Sequence, residues 1–273
     1  MNSSHLFGRI HRFLSSRPLI VRAAVKARNQ ANAIVATHFS RLSVSTDSTA
    51  NGENRLAEHV APHARNFVDV GGNQGHWTAH FLRYVQGRPS GLIYEPNQAC
   101  AMALQRRFAS TEAVEVVHAA VADYLGEAEF YESSDDDQLS SLSAISAGPF
   151  AAPRRVPVVT LDDELKRRRW DRISFLKIDT EGHDYFVLRG ARRLLSEGRV
   201  DLLQFECNNT WNATGITLRA AVNFLKPFGY SVRHLRPEGL FAVDYVFFGS
   251  EFGYGNWVAF HQGTEALLKP LLR

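Results

Sequence analysis

A glycine-rich turn between a strand-like and a helix-like segment is the feature that most constrains how this chain folds. Residues 66–70 are apolar enough for a strand that is buried on both faces, and apolar residues recur at helical spacing after Gly75. Gly71, Gly72 and Gly75 lie where the period changes, and glycine lets the backbone turn tightly and approach a ligand closely. The following helix offers unpaired N–H groups at its N-terminus. The segment therefore predicts a strand–turn–helix cradle for a nucleotide-like cofactor.

Two acidic residues at the expected strand ends narrow the choice of cofactor. Asp69 stands two residues before Gly71, and the turn follows D-x-G-x-N-x-G instead of the G-x-G-x-x-G of dinucleotide-binding enzymes. A carboxylate at Asp69 can accept hydrogen bonds from an ammonium group, which S-adenosylmethionine (SAM) has and a dinucleotide lacks. Glu95 ends the next strand-like segment and suits the two hydroxyls of a ribose, so it fits either cofactor. Asp69 therefore favours SAM.

Alternating strand-like and helix-like segments predict an α/β fold with a doubly wound, mostly parallel sheet. The strands of this sheet are expected at residues 66–70, 91–95, 114–120, 173–179 and 200–206. Two further strands are expected at 128–131 and 156–161, on either side of a polar segment, 133–148, that we interpret as a mobile flap or an insertion over the site. An antiparallel hairpin of residues 230–235 and 244–248 is expected to close the sheet.

The densest group of ionisable residues follows the expected strand 173–179. Because ligands of open α/β sheets bind beyond the carboxyl ends of the strands, this group should share a crevice with the glycine turn. A histidine there is suited to accept a hydroxyl proton, and capping of the next helix is its structural alternative. The candidate catalytic residues are Asp179, Glu181 and His183, with Glu206 at the end of the neighbouring strand.

A divalent cation is the alternative to proton transfer by His183. Carboxylate oxygens of Asp179, Glu181 and Glu206 are hard ligands of the kind that Mg²⁺ prefers, and a bound cation would acidify an acceptor hydroxyl. We rank base catalysis without a metal first and assign no metal ligand.

Several segments, taken in their order along the chain, resemble the FkbM family of SAM-dependent methyltransferases. They are residues 67–75, 93–97, 119–126, 140–142, 158–163, 177–183 and 187–191. The resemblance covers roughly residues 60 to 207 and leaves out the N-terminal arm and the region after Asn208. It implies a Rossmann-like class I methyltransferase domain that methylates a hydroxyl of a sugar, glycan, polyketide or other metabolite. The family often has alanine where this chain has Gly72.

The resemblance also places the cofactor. It implies cofactor positions at Asp69, Gly71, Asn73, Gly75 and Glu95, with Asp179 at the junction of cofactor and substrate. The candidate SAM-binding residues are Asp69, Gly71, Gly72, Asn73, Gly75, His76, Glu95, Asn97, Ala120 and Asp179.

Two other functions compete with methyl transfer. A nicotinamide-dependent oxidoreductase is disfavoured because the chain has neither G-x-G-x-x-G nor a Tyr-x-x-x-Lys pair. A non-catalytic binding protein on a methyltransferase fold is disfavoured because a suitable residue stands at every cofactor position.

The first 46 residues are basic and contain no acid. They hold seven of the 31 Lys and Arg residues, so the rest of the chain has 24 basic residues against 28 acids. Two amphipathic helices are predicted on either side of Pro18, with apolar faces formed by Leu6, Ile10, Phe13 and Leu14 and by Ile20, Ala24, Ala27, Ala31, Ile34 and Val35. We divide the chain into a basic arm, 1–50, and a methyltransferase domain, 51–273. We favour an arm packed on its own domain or on a second subunit in a homo-oligomer, and contact with an anionic membrane is the alternative.

Composition bounds the location and the partners. No apolar run approaches the ~18 residues of a membrane-spanning helix, so we predict neither such a helix nor a cleaved signal peptide. Cys100 and Cys207 are expected in the core, which suits a reducing compartment. The basic run 166–169 is interpreted as the solvated end of a helix and not as a nucleic-acid site. We expect a cytoplasmic enzyme with a small-molecule or glycan acceptor, associated with a membrane only if the arm binds one.

Overall fold

The computed structural model describes residues 3–43, 47–132, 152–208, 210–244 and 255–273. The strands are β1 (Asn66–Val70), β2 (Ser90–Tyr94), β3 (Val114–Val117), β4 (Ala120–Val121), β5 (Gly126–Glu132), β6 (Ala152–Val159), β7 (Ile173–Ile178), β8 (Val200–Cys207), β9 (Tyr230–Arg236), β10 (Gly239–Phe241) and β11 (Gly255–His261). The helices are α1 (Ser3–Ser15), α2 (Pro18–Ser43), α3 (Glu53–Val60), α4 (His76–Leu82), α5 (Gln98–Arg107), α6 (Leu161–Arg168), α7 (Asp184–Gly190), α8 (Arg192–Ser196), α9 (Trp211–Thr214), α10 (Leu218–Leu225) and α11 (Glu265–Leu268).

The main sheet has eight strands in the order β10-β9-β11-β8-β7-β1-β2-β3. The five strands β8, β7, β1, β2 and β3 are parallel to one another, whereas β11 pairs antiparallel with β8 and β9, and β10 pairs antiparallel with β9. From β1 the chain builds outward through β2 and β3, then returns to the other side of β1 with β7 and β8. The carboxyl ends of β1 and β7 therefore flank a topological switch point, where ligands of such sheets bind. This confirms the predicted doubly wound, mostly parallel α/β fold.

One predicted strand needs correction, and one lies mostly outside the described residues. The expected strand 114–120 ends at Val117, and the chain then enters a three-stranded sheet, β4-β6-β5, in which Ala120 pairs with Val158. The first strand of the expected hairpin, 230–235, is β9, which turns directly into β10, and residues 245–248 of the expected second strand lie outside the described residues. The strand that enters the sheet between β8 and β9 is β11, which the sequence analysis missed. Its run of buried residues lacks the alternation that marks a half-buried strand. The segment 133–148, interpreted as a flap, lies outside the described residues.

A buried aromatic cluster holds the glycine turn in place. Phe67 of β1 and Phe175 of β7 pack against Trp77 and Phe81 of α4, and the Trp77 and Phe81 rings stack with centroids 5.0 Å apart. Each such ring contributes about 1.5–3 kcal/mol by leaving water. Because α4 is fixed against both strands, the turn between β1 and α4 has a defined position. Both cysteines are buried and form no disulfide, as predicted.

The arm forms two helices that meet just before Pro18, as predicted. Every side chain from Ile10 to Ile34 is exposed, so this part of the arm does not pack on the domain. Helix α2 contacts β9 and β11. Among the described helices, none is both long enough and apolar enough to cross a membrane.

Candidate active site at the carboxyl ends of β1 and β7

The glycine turn lies in direct contact with the end of β7. Gly71 has φ 84°, and a Cβ added there would stand 1.8 Å from the backbone oxygen of Asp179. The Asp179 N–H donates to the Val70 carbonyl at 2.9 Å, and the Gly71 N–H donates to the Tyr94 carbonyl at 2.9 Å. Glycine is therefore required at Gly71 both for its conformation and for the close approach of the two chain segments.

Glu95 connects the turn to the end of β2. Its Oε2 accepts a hydrogen bond from the Asn73 N–H at 2.7 Å, and its Oε1 accepts one from the Asn97 N–H at 2.8 Å. Burial raises the pKa of Glu95 to about 7, although the two N–H donors lower it. Each carboxylate oxygen has two lone pairs, so Glu95 retains capacity for ribose hydroxyls. The Asn97 side chain instead caps α5, where it accepts from the Ala99 and Cys100 N–H groups.

Asp69 lies beneath the turn. Its carboxylate is buried, and Oδ2 accepts from the Thr78 hydroxyl at 2.6 Å. Its Oδ1 is also buried and has no hydrogen-bond partner among the described residues. Burial raises the pKa of Asp69 to about 6, against the opposing effects of Lys177 and Thr78. A buried carboxylate oxygen without a donor fits an incoming ammonium group.

Lys177 is a site residue that the sequence analysis missed. Its ammonium is buried and lies 2.8 Å from Asp179 Oδ2. Burial alone would lower the pKa of Lys177, but the carboxylates of Asp179, Glu53 and Asp69 outweigh burial and raise it. Glu53, at the start of α3, accepts from the side chains of Asn51 and Asn256. A lysine inside a strand with no other charged residue, 173–178, was the available sequence signal.

The predicted acidic residues come together. Carboxylate oxygens of Asp179, Glu181 and Glu206 lie within 4.8 Å of one another. Burial, followed by the charges of Asp179 and Asp184, raises the pKa of Glu181 to about 8. Asp184 holds the loop to β8, because its Oδ2 accepts from the Thr180 hydroxyl at 2.8 Å and its Oδ1 from the Glu206 N–H at 3.0 Å.

His183 lies at the N-cap position of α7, but its side chain makes no capping hydrogen bond. Its Nδ1 is buried and has no hydrogen-bond partner among the described residues, and burial lowers the pKa of His183 to about 4. The side chain lines a cavity of about 420 Å³ between α7 and the three-stranded sheet. The other lining residues are Ala122, Asp123, Tyr124, Ala128, Glu129, Tyr131 and Phe186.

The remaining candidate cofactor residues are more peripheral. His76 begins α4, is exposed, and has its Nε2 3.3 Å from Gln74 Oε1. Ala120 is buried with Phe130 and Val158 in the core of the three-stranded sheet. Gly72 packs against β2, where an added Cβ would stand 2.2 Å from Ile93 Cγ2.

Three solved structures illustrate the similarity to known proteins. The methyltransferase FkbM from Methylobacillus flagellatus KT is 20% identical with a TM-score of 0.48, and the match covers 72% of this chain and 44% of that one. A putative O-methyltransferase from Klebsiella pneumoniae is 12% identical with a TM-score of 0.43, and covers 84% of this chain and 89% of that one. An O-methyltransferase from Bacillus cereus, in complex with SAH, is 13% identical with a TM-score of 0.41, and covers 92% and 96%. The chain thus spans less than half the length of the Methylobacillus protein.

The sequence of the chain also matches the profile of a known family. No curated protein matches the chain significantly. The sequence profile of the methyltransferase FkbM domain matches residues 69–232, which is more than half of the chain. That segment contains the glycine turn, Glu95 and the acidic residues that the sheet brings together. The chain therefore belongs to the FkbM family of methyltransferases.

Proposed function

We propose that this protein transfers a methyl group from SAM to a hydroxyl of a small-molecule or glycan acceptor. The observation that carries the proposal is the excess of buried carboxylate around the glycine turn. Asp69 and Glu95 have raised pKa values there, and Lys177 is shared among Asp179, Glu53 and Asp69. SAM carries a sulfonium and an ammonium, which this negative charge attracts, whereas it repels the diphosphate of a dinucleotide.

The residues present fit the cofactor. The backbone of the turn would hold SAM, Glu95 would receive its ribose hydroxyls, and the buried Asp69 Oδ1, together with Asp179, would receive its ammonium. When bound, SAM supplies a methyl group already activated on sulfur, so the chain must align the acceptor oxygen and remove its proton.

The cavity beside His183 is the proposed acceptor site. It adjoins the loop that carries Asp179 and Glu181, and its aromatic residues Tyr124, Tyr131 and Phe186 provide apolar surface for a ring-shaped acceptor. Burial keeps the His183 imidazole neutral at physiological pH, which is the form that accepts a proton. His183 is therefore the proposed base.

Calorimetry tests the cofactor first. SAM and S-adenosylhomocysteine are titrated into the full chain and into Asp69→Ala, with NADH as the control ligand. We expect SAM to bind the full chain and to bind Asp69→Ala more weakly, and we expect no heat from NADH. Binding of NADH in place of SAM would overturn the proposal.

The acceptor is then sought in cells. Metabolites, glycans and lipids are compared between cells that express the protein and cells that express His183→Ala, for a mass difference of about one methylene. Products that are recovered with SAM and purified protein, and whose new methyl is on oxygen, support the proposal. A methyl on nitrogen or carbon would contradict the O-methylation part alone.

Methyltransferase activity that survives EDTA is expected for base catalysis without a metal. Activity that EDTA abolishes and added Mg²⁺ restores would favour the metal alternative.

A further inference from the structure

The arm is an exposed helical surface that the proposed methyl transfer does not explain. All residues from 10 to 34 are exposed along helices α1 and α2. An isolated helix gains little stability in water without a packed face, so a surface of this length calls for a partner. The partner has to suit both the apolar and the charged side chains of the arm.

The apolar side chains of the arm are large and unusually exposed. Phe13 is 57% exposed, Leu19 78% and Ile34 71%. In α1, Ile10, Phe13 and Leu14 follow the spacing that places side chains on one face of a helix. Such a stripe is suited to an apolar phase or to another protein, and a polyanion such as nucleic acid offers it no matching surface.

The charges of the arm are all of one sign. Five basic residues lie between residues 10 and 34, namely Arg12, Arg17, Arg22, Lys26 and Arg28, and the same stretch contains no acid. The Arg17 guanidinium lies 4.8 Å from the centre of the Phe13 ring, so cation and aromatic ring are presented side by side. Pairing this arm with its own copy would bring like charges together, whereas an anionic surface neutralises them.

We propose that residues 10–34 bind the surface of an anionic lipid bilayer. Ile10, Phe13 and Leu14 enter the boundary between headgroups and acyl chains, and the basic side chains face the lipid phosphates. Helix α2 contacts β9 and β11, so binding holds the methyltransferase domain at the membrane surface. This inference concerns where the protein acts and does not depend on the reaction that it catalyses.

Co-sedimentation of the full chain with vesicles tests the proposal. One set of vesicles is phosphatidylcholine alone, and the other contains about 30% phosphatidylserine, which supplies the negative surface potential. We expect binding to the anionic vesicles that is at least about tenfold stronger than to the neutral ones. Raising the salt from about 0.1 M to about 0.5 M should release most of the protein, because it screens the charges.

Three matched variants separate the contribution of the basic side chains to vesicle binding from that of the apolar side chains. Arg12→Gln with Arg17→Gln and Arg22→Gln should abolish the preference for anionic vesicles. Phe13→Gln with Leu14→Gln should weaken binding at both salt concentrations. The control removes the same charge from the exposed surface of the domain, with Arg83→Gln, Arg88→Gln and Arg106→Gln, and should bind as the full chain does.

The competing partners give different results. Light scattering that shows an arm-dependent dimer without vesicle binding would overturn the proposal in favour of a second copy. Binding to duplex DNA that is as tight as vesicle binding, and that Phe13→Gln with Leu14→Gln leaves unchanged, would show a general polyanion site instead. An equal loss of vesicle binding in the control variant, or no vesicle binding by the full chain, would also contradict the proposed binding to an anionic bilayer. Circular dichroism and SAM binding of each variant verify that the domain is folded.

Discussion

The Lys177 ammonium lies 2.8 Å from the Asp179 carboxylate, two positions along the chain, where β7 leaves the sheet. Asp69 stands opposite Lys177 in the register of β1 and β7, so the same cation also faces the acid beneath the glycine turn. One buried positive charge thus interacts with Asp69, on the proposed cofactor side of the crevice, and with Asp179, next to the proposed acceptor side.

Removing that charge should destabilise the protein. Lys177→Met leaves several buried carboxylates without their cation, and we expect a loss of about 3 kcal/mol in the free energy of unfolding at neutral pH. The loss should shrink toward pH 5, because the pKa of Asp69 is about 6 and the acid then becomes neutral. Urea titrations at both pH values measure this, with the exposed Lys226→Met as control. A loss under about 1 kcal/mol at both pH values would contradict it.

Glu95→Gln should weaken SAM binding without slowing the bound enzyme. The amide oxygen can accept from only one of the Asn73 and Asn97 N–H groups, and the amide carries no charge, so we expect SAM affinity to fall about tenfold to hundredfold. The ribose contact is the same in ground and transition states, so kcat at saturating SAM should stay nearly constant. Calorimetry and steady-state kinetics separate the two effects, and exposed Glu112→Gln is the control. A fall in kcat with unchanged affinity would assign Glu95 another role.

SAM binding should release protons near neutral pH. The pKa values of Glu95 and Asp69 are raised to about 7 and about 6, and a bound cation favours their ionised forms. The pKa values therefore fall on binding, protons leave, and affinity rises as the pH increases from about 6 to about 8. Calorimetry in two buffers of different ionisation enthalpy counts these protons, and Glu95→Gln should release fewer. Affinity that stays flat or falls over this range would count against a cationic ligand at the turn.

His183→Asn should lower turnover while leaving SAM affinity unchanged. Loss of a general base costs roughly 10²–10⁴ in rate. Because the pKa of His183 is lowered to about 4, the imidazole stays neutral from pH 6 to 8, and kcat at saturating SAM should be constant there. Turnover assays with the identified acceptor measure both effects. Unchanged kcat in His183→Asn would remove the residue from catalysis and direct attention to Glu181.

Gly72→Ala should destabilise this chain, although alanine is common at the position in the family. The added Cβ would stand 2.2 Å from Ile93 Cγ2, and such overpacking costs about 1–3 kcal/mol. Ile93→Leu removes that γ-methyl, so the double variant should be more stable than the sum of the single effects predicts. Thermal unfolding of the four proteins gives the coupling free energy. Additive effects of the two substitutions on the free energy of unfolding would show that the Ile93 γ-methyl is not what the added Cβ clashes with in the folded protein.

The sequence predicted the parts of the fold that depend on local pattern. Strands β1, β2 and β7 are short, largely apolar runs followed by glycine or an acid, and the turn after β1 has a backbone conformation that requires glycine. Lys177 was missed because its importance depends on Asp69, which is opposite only in the register of two strands far apart in sequence. The cavity beside His183 was missed for the same reason, since its other wall belongs to the three-stranded sheet.

The contact between Gly71 and Asp179 restricts how this active site can diverge. The backbone oxygen of Asp179 occupies the place of a side chain at Gly71, so no chiral residue can replace the glycine without moving the acidic loop. Mutations within residues 179–184 that change the choice of acceptor must therefore alter side chains while keeping the main-chain path at 179. A new acceptor specificity in this family member therefore has to arise with the main-chain contact between Gly71 and Asp179 unchanged.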